Sequence, residues 1–248
     1  MSILTTAVPT ADVPEQVQES VLPGPNGAAP PLQSGDRLTR AEFERRYWAH
    51  PEIKRAELIE GVVYVSSPVH LPHATMHSLL GAWLGQFWAA TPGVRVADNV
   101  SLRLDIDNEV QPDLCLRVAS SQGALSRATA ERFLEQAPEL IVEVAASSAA
   151  YDLHQKRHVY RRNGVGEYLV LALYEQETYW FELVEGEYVQ QQPAADGILR
   201  SNQFPGLWLD VAALWAADLP GLVATLQAGL AAPEHAEFVA RLAATRPT

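Results

Sequence analysis

At 248 residues, 48% of them hydrophobic, the chain is long enough for one good-sized domain with extensions and holds the apolar content that a core requires. With 30 acidic against 18 basic side chains its net charge is −12, which argues against a high-affinity, non-specific DNA binder and leaves any nucleic-acid contact to a local basic patch or a metal. The single cysteine, Cys115, excludes an internal disulfide and a multi-cysteine zinc site.

Taken in chain order, Met1 to Ala7 has no basic segment leading into an apolar stretch, so it does not read as a secretory signal, and no run is long enough to span a membrane. A cytoplasmic location is the expectation. Residues 1–36 are proline-rich, lack aromatics and show no apolar period, the composition of a disordered tail. Thr39 with Glu42 forms a capping-box pattern ahead of Phe43, Tyr47 and Trp48, which predicts a helix. Glu57 to Val65 divides at Glu60-Gly61 into two strand-like halves, a hairpin. From His70 to Ala90, Met76, Leu80, Trp83, Leu84 and Phe87 recur at helical spacing, and Pro92-Gly93 ends that helix.

Strands are predicted over Val94–Ala97, Val100–Leu104 and Val110–Arg117, with Asp98-Asn99 and Asp107-Asn108 as turns. Residues 119–137 read as a loop with a short helix. Pro138 to Ala146 is an apolar, β-branched run holding Glu143, which predicts a buried strand. A helix over 150–163 stops at Asn163-Gly164, and three strands follow: Glu167–Leu173, Thr178–Leu183 and Tyr188–Gln192. A short element over Leu209–Ala216 closes the domain, and residues 218–248 read as a helical extension. The order is that of an α/β or α+β fold with a mixed sheet flanked by helices, its main domain spanning residues 37–217.

Glu143 is the residue hardest to explain by structure alone. A buried, unpaired carboxylate costs several kcal/mol, so it requires a metal, a cation or a proton. Asp113 sits at the entry of an apolar strand, and Asp152 and Lys156 lie one helical turn apart further on. Two strand carboxylates and a lysine are the parts of a metal-dependent phosphodiester hydrolase. Asp113 and Glu143 would hold the metal if their strands are neighbours, with Glu57 as a third carboxylate and the Val144 carbonyl as a further ligand. Mg²⁺ or Mn²⁺ suits such an oxygen-rich set. Each residue also has a plainer reading. Asp113 follows a proline and can be a strand-entry residue; Asp152 and Lys156 can form a solvated i,i+4 pair; Glu57 can be an exposed strand-end glutamate.

Histidines offer a rival, a zinc hydrolase built on His70, His73 and His77, but Ala74 stands where an H-E-x-x-H motif has its glutamate. The helix over 150–163 carries the one local basic cluster, Lys156, Arg157, His158, Arg161 and Arg162, able to face phosphates or simply water.

In order and spacing, several pieces resemble the Uma-two family of restriction endonucleases, a branch of the PD-(D/E)XK nuclease superfamily. They are Glu57-Leu58-Ile59-Glu60-Gly61, Ser67-Pro68 followed by His73, Pro112-Asp113, Pro138 to Val144, Asp152 with Lys156 and Tyr160, Gly164 to Tyr168, and Phe204 to Leu209. The resemblance covers roughly residues 38–216. It implies a restriction-endonuclease-like fold, Asp113 and Glu143 as ligands of Mg²⁺ or Mn²⁺ with Glu57 contributing, DNA as substrate, and hydrolysis of phosphodiester bonds. The superfamily pattern places a lysine two residues after the glutamate; here that position is Ala145, and Lys156 on the following helix is the candidate replacement. His73 matches a recurrent histidine. A homodimer would suit cutting of both strands. The alternative is a non-catalytic nucleic-acid-binding or protein-interaction module on the same fold.

Overall fold

The computed structural model describes residues 29–66, 68–119, 124–130 and 133–245. Residues 1–28 of the expected tail, and Ser67, lie outside them. Among the described residues the packed core begins at Leu32. Leu32 is buried with Phe43 of α1 (Arg40–Ala49) and with Ala56, Leu58 and Val63 of the hairpin β1 (Ala56–Ile59) and β2 (Val62–Val65). The Thr39 hydroxyl caps α1 by accepting from the Glu42 amide. Glu60 and Gly61 both take positive φ, 51° and 74°, as the tight two-residue turn between β1 and β2 requires.

Helix α2 (Leu71–Ala90) turns Leu80, Trp83, Leu84 and Phe87 into the main core. After it come β3 (Val94–Asp98), β4 (Leu102–Asp105), β5 (Asn108–Val110) and β6 (Leu114–Val118). The single strand expected over Val110–Arg117 is therefore two strands, in different sheets. Pro112 lies between them, and a proline cannot donate to a ladder. In place of a loop with a short helix, β7 (Arg127–Ala128) and β8 (Leu134–Glu135) form a small antiparallel pair. Then follow β9 (Leu140–Ala145), α3 (Ala149–Tyr151), a π-helical turn (Asp152–Lys156) and α4 (Arg157–Arg162). The remaining elements are β10 (Glu167–Ala172), β11 (Glu177–Val184), β12 (Glu187–Gln191), β13 (Ile198–Arg200), β14 (Trp208–Asp210), α5 (Val211–Trp215), α6 (Leu219–Leu230) and α7 (Pro233–Ala244).

Among the described residues two mixed six-stranded sheets result, ordered β2-β1-β5-β4-β8-β7 and β12-β11-β10-β9-β6-β3, beside the two-stranded β13-β14. In the second, β9 and β10 run parallel and the other pairs antiparallel. Strand β9 is buried on both faces. Leu140, Val142 and Val144 enter the core with α2, while Ile141 and Ala145 enter a second core with Val159, Tyr160 and Tyr168. By alternation Glu143 belongs to that second face.

The C-terminal helices join the first core through Leu222 and Leu226 of α6 and Phe238 and Leu242 of α7. Gly206 allows the close approach. Its φ is +91°, and a Cβ there would lie 2.7 Å from that of His235. His235 holds α7 in place: its Nδ1–H donates to the Leu230 carbonyl, and its Nε2 accepts from Thr91 at the end of α2.

Glu167, fully buried at the start of β10, fastens the loop after β13. It accepts from the Ser201 hydroxyl at 2.6 Å and from the amides of Asn202 and Gln203 at 2.7 and 3.2 Å. Burial outweighs these bonds and raises its carboxyl to about 7. A folded value above the unfolded one gives stability that is present in full below the unfolded pKa and is lost as pH rises through the folded one. Between pH 4.5 and 7 the group should therefore lose about 3 kcal/mol of stabilisation. The variant Glu167→Gln is expected to lack this fall. Denaturant melts of both proteins across that range check it, and parallel pH profiles would contradict it.

Candidate active site

Three carboxylates converge from the two large sheets. Strand β6 pairs with β9 in the register Leu114↔Val142, so Asp113, one residue before β6, comes beside Glu143. The Asp113 amide donates to Glu143 Oε2 at 3.3 Å, and the Val144 amide donates to Asp113 Oδ2 at 2.8 Å. Glu57, in β1, reaches the same place from the other sheet, where its Oε1 accepts from the Gln111 amide at 2.8 Å. All three are at least 95% buried. The plainer reading of Glu57 as an exposed strand end does not describe its position.

The π-helical turn supplies the fourth carboxylate and the lysine. Asp152 and Lys156 are buried, and they do not form a solvated pair. Lys156 Nζ lies 2.9 Å from Glu143 Oε1, 2.9 Å from Glu57 Oε1 and 3.6 Å from Asp152 Oδ1. The ammonium thus stands among three carboxylates, although position 145, where a lysine was expected, is alanine. The Tyr160 hydroxyl donates to Glu143 Oε1 at 3.0 Å. A π turn inside a helix is uncommon and often marks a functional position. Here it ends at the residue that enters the cluster.

A second cation, Arg55, comes from the residue before β1. Its Nη1 lies 2.8 Å from Asp113 Oδ1 and its Nη2 4.0 Å from Glu143 Oε2, and Nη2 also donates to the Gln111 carbonyl. Nothing in the local sequence singles Arg55 out as a site residue except its position two residues before Glu57, which in extended chain puts both side chains on one face. His73 Nε2, 3.2 Å from Asp113 Oδ2, must carry the proton there, because a carboxylate only accepts. Its Nδ1 is buried without a partner among the described residues.

Charge in the cluster is unbalanced. Glu57, Asp113, Glu143 and Asp152 face two cations, Arg55 and Lys156. Burial works against the charge on Lys156, but Glu143, Glu57 and Asp152 overcome it and hold the amine charged. Burial likewise works against Asp113 ionising, yet the His73 hydrogen bond and Arg55 keep its carboxyl well below the usual range. For Glu143 burial prevails, aided by Asp113, Asp152 and Glu57 and opposed by Lys156, so its carboxyl is pushed up to about 8. Burial also raises Asp152.

Among the described residues no three His, Cys, Asp or Glu side chains stand ready to close on one ion. Guanidinium and ammonium lie between the carboxylates instead. The donor chemistry nonetheless fits a hard divalent cation: every carboxylate and carbonyl is an oxygen ligand, and four acidic groups surround two cations. The Val144 carbonyl fits as well. The Ala145 carbonyl accepts from Leu173 on the β10 side, so the groups of Val144 face the opposite side, toward Asp113.

Other candidates from the sequence lie elsewhere. His70 and His158 are exposed, and His77 pairs with Asp98 at 3.3 Å. The basic cluster is held by its own protein. Arg157 stacks on Phe181, Arg161 pairs with Glu187 at 2.7 Å, and Arg162 pairs with Asp105 at 3.1 Å.

This arrangement, a mixed sheet whose buried central strands bring acidic residues to one face beside a helix-borne lysine, is that of a restriction-endonuclease-like fold. A crystal structure of "a putative nuclease belonging to DUF820" from Anabaena variabilis shares the fold. It has a TM-score of 0.52 and 13% sequence identity over 65% of this chain and 90% of that one. The model of the Uma2 family, described as "Putative restriction endonuclease", matches residues 40–212, and the chain belongs to that family. None of the curated proteins matches it. Among the described residues no helix is long and apolar enough to cross a membrane.

Proposed function

We propose that this protein is a divalent-metal-dependent endonuclease that hydrolyses DNA phosphodiester bonds, acting in the cytoplasm. The observation that carries the reading is the excess of buried carboxylate: four acidic side chains, from both sheets and the π-helical turn, converge on two cations, and Lys156 is shared among Glu57, Glu143 and Asp152. Burial at that density destabilises the fold unless something positive joins it. Family membership supports a nuclease.

In this reading Asp113, Glu143 and Glu57, with the Val144 carbonyl, would hold Mg²⁺ or Mn²⁺. Such an ion supplies Lewis-acid polarisation of a phosphate oxygen and a more acidic bound water. Lys156, fixed and charged, places positive potential beside Glu143, where charge develops as the phosphodiester is attacked. Tyr160 and Asp152 keep Glu143 and Lys156 in position. His73 orients Asp113 through the Nε2–H donation. A homodimer would supply two such sites, one for each strand.

The test is cleavage of supercoiled and linear DNA with Mg²⁺, Mn²⁺ or EDTA by the parent and by Glu143→Gln. Metal-dependent cutting that disappears in the variant is the expected result. Equal cutting by both would place the activity outside this site. No cutting by either, with DNA binding retained, would leave the non-catalytic module.

A further inference from the structure

We infer that Arg55 is a displaceable counter-cation that occupies the place a divalent ion takes, so that metal entry and Arg55 release are one event. The inference rests on the metal-site reading above. It concerns a residue outside the carboxylate and lysine set.

The two cations of the site are held very differently. Lys156 is 3% exposed and contacts three carboxylates. Arg55 is 22% exposed and has one close carboxylate partner, Asp113 Oδ1; Glu143 Oε2 lies at 4.0 Å. Its remaining polar contact is the Gln111 carbonyl, and its Nε is buried with no partner among the described residues. It leads into β1 and is not part of the strand. A long side chain that reaches the surface, satisfies only part of its fork and stands on a connecting segment is the one free to move.

Its position is what makes this consequential. The guanidinium spans the gap between Asp113 and Glu143, the two neighbouring-strand carboxylates. A hard divalent ion bound to those carboxylates sits about 2.0–2.6 Å from each oxygen. A carboxylate oxygen can hold a metal and still accept a hydrogen bond, but a guanidinium kept between the same two carboxylates would stand within a few ångströms of the ion, and two cations so close in a buried site repel strongly. Without metal, Arg55 neutralises part of the charge excess and keeps the fold intact. With metal, it is released toward solvent, where its planar fork is free to take a phosphate oxygen pair. The residue would thus raise the metal concentration that the protein needs and become available to the backbone of a nucleic acid at the moment metal arrives.

The experiment is calorimetric titration of Mn²⁺ into the parent, Arg55→Gln and Asp113→Asn, with thermal melts of each in EDTA. Arg55→Gln is expected to bind Mn²⁺ about tenfold more tightly than the parent, and to melt lower in EDTA with a larger gain on adding Mn²⁺. Asp113→Asn should lose binding. Unchanged or weaker binding by Arg55→Gln, with Asp113→Asn still inactive in binding, would overturn the inference and leave the metal site standing. Absence of binding by both the parent and Arg55→Gln would overturn both. Should Arg55→Gln not fold, Mn²⁺-soaked crystals of the parent decide the matter. Metal bound with Arg55 moved off Asp113 supports displacement; metal bound with the 2.8 Å contact intact refutes it.

Discussion

Replacing Lys156 with methionine is expected to cost about 3–5 kcal/mol of folding stability at pH 7 and to eliminate cleavage. The ammonium is the shared counter-charge of Glu57, Glu143 and Asp152, all buried. Methionine fills similar volume, so little cavity forms, and the loss is almost wholly that of three carboxylates left with less compensation. The deficit should shrink as pH falls, because unpaired buried carboxylates take up protons more readily than those of the unfolded chain. Adding Glu143→Gln to Lys156→Met should restore part of the stability, a non-additive result that distinguishes charge imbalance from lost packing. Urea melts of the two single variants and the double variant measure this. Additive losses would show that the lysine matters for packing only.

The second large effect separates stability from activity. Glu143→Gln should reduce metal-dependent cleavage by about a thousandfold or more, while the metal-free protein melts no lower than the parent. The amide keeps the shape, its oxygen still accepts from Lys156 and Tyr160 at the cost of the long bond from the Asp113 amide, and it removes an acidic group whose charge burial already disfavours. An ordinary structural glutamate, paired and buried, would behave the other way: loss of the charge would strand Lys156 and lower the melting point. At about 2–4 °C per kcal/mol for a chain of this size, thermal melts in EDTA resolve the two outcomes.

Why some of this was legible in the sequence and some not follows from how far each signal extends along the chain. Glu143 declared itself because a carboxylate inside a β-branched run has a local inconsistency that only a partner can resolve. Its strand is indeed buried on both faces. The hairpin turn, the α2 core face and the cap on α1 are likewise local signals, and they lie where expected. The split at Pro112 was readable from the proline itself, but the apolar run across it looked continuous. That break sends β5 to one sheet and β6 to the other, which is how Glu57 and Asp113 converge.

Less legible was the destination of the helix after β9. Asp152 and Lys156 at i,i+4 have the spacing of a surface pair, and no side-chain pattern announces the π turn that carries them inward. Arg55 was invisible for a similar reason. Its contacts, with Asp113 and Glu143, are more than 50 residues distant and arise only from strand pairing. The C-terminal helices were separated from the domain by punctuation at Pro220-Gly221, yet Leu222, Leu226, Phe238 and Leu242 complete the main core.

The most direct test of the central claim is the single-turnover rate of cleavage of a short DNA duplex as a function of Mn²⁺ concentration, for the parent and for Asp113→Asn. A saturable rise with Mn²⁺ in the parent, no cleavage in EDTA, and a variant whose rate stays near background at every concentration is the predicted result. Cleavage that persists in EDTA, or an Asp113→Asn variant as fast as the parent, would contradict a metal-dependent site built on Asp113 and Glu143.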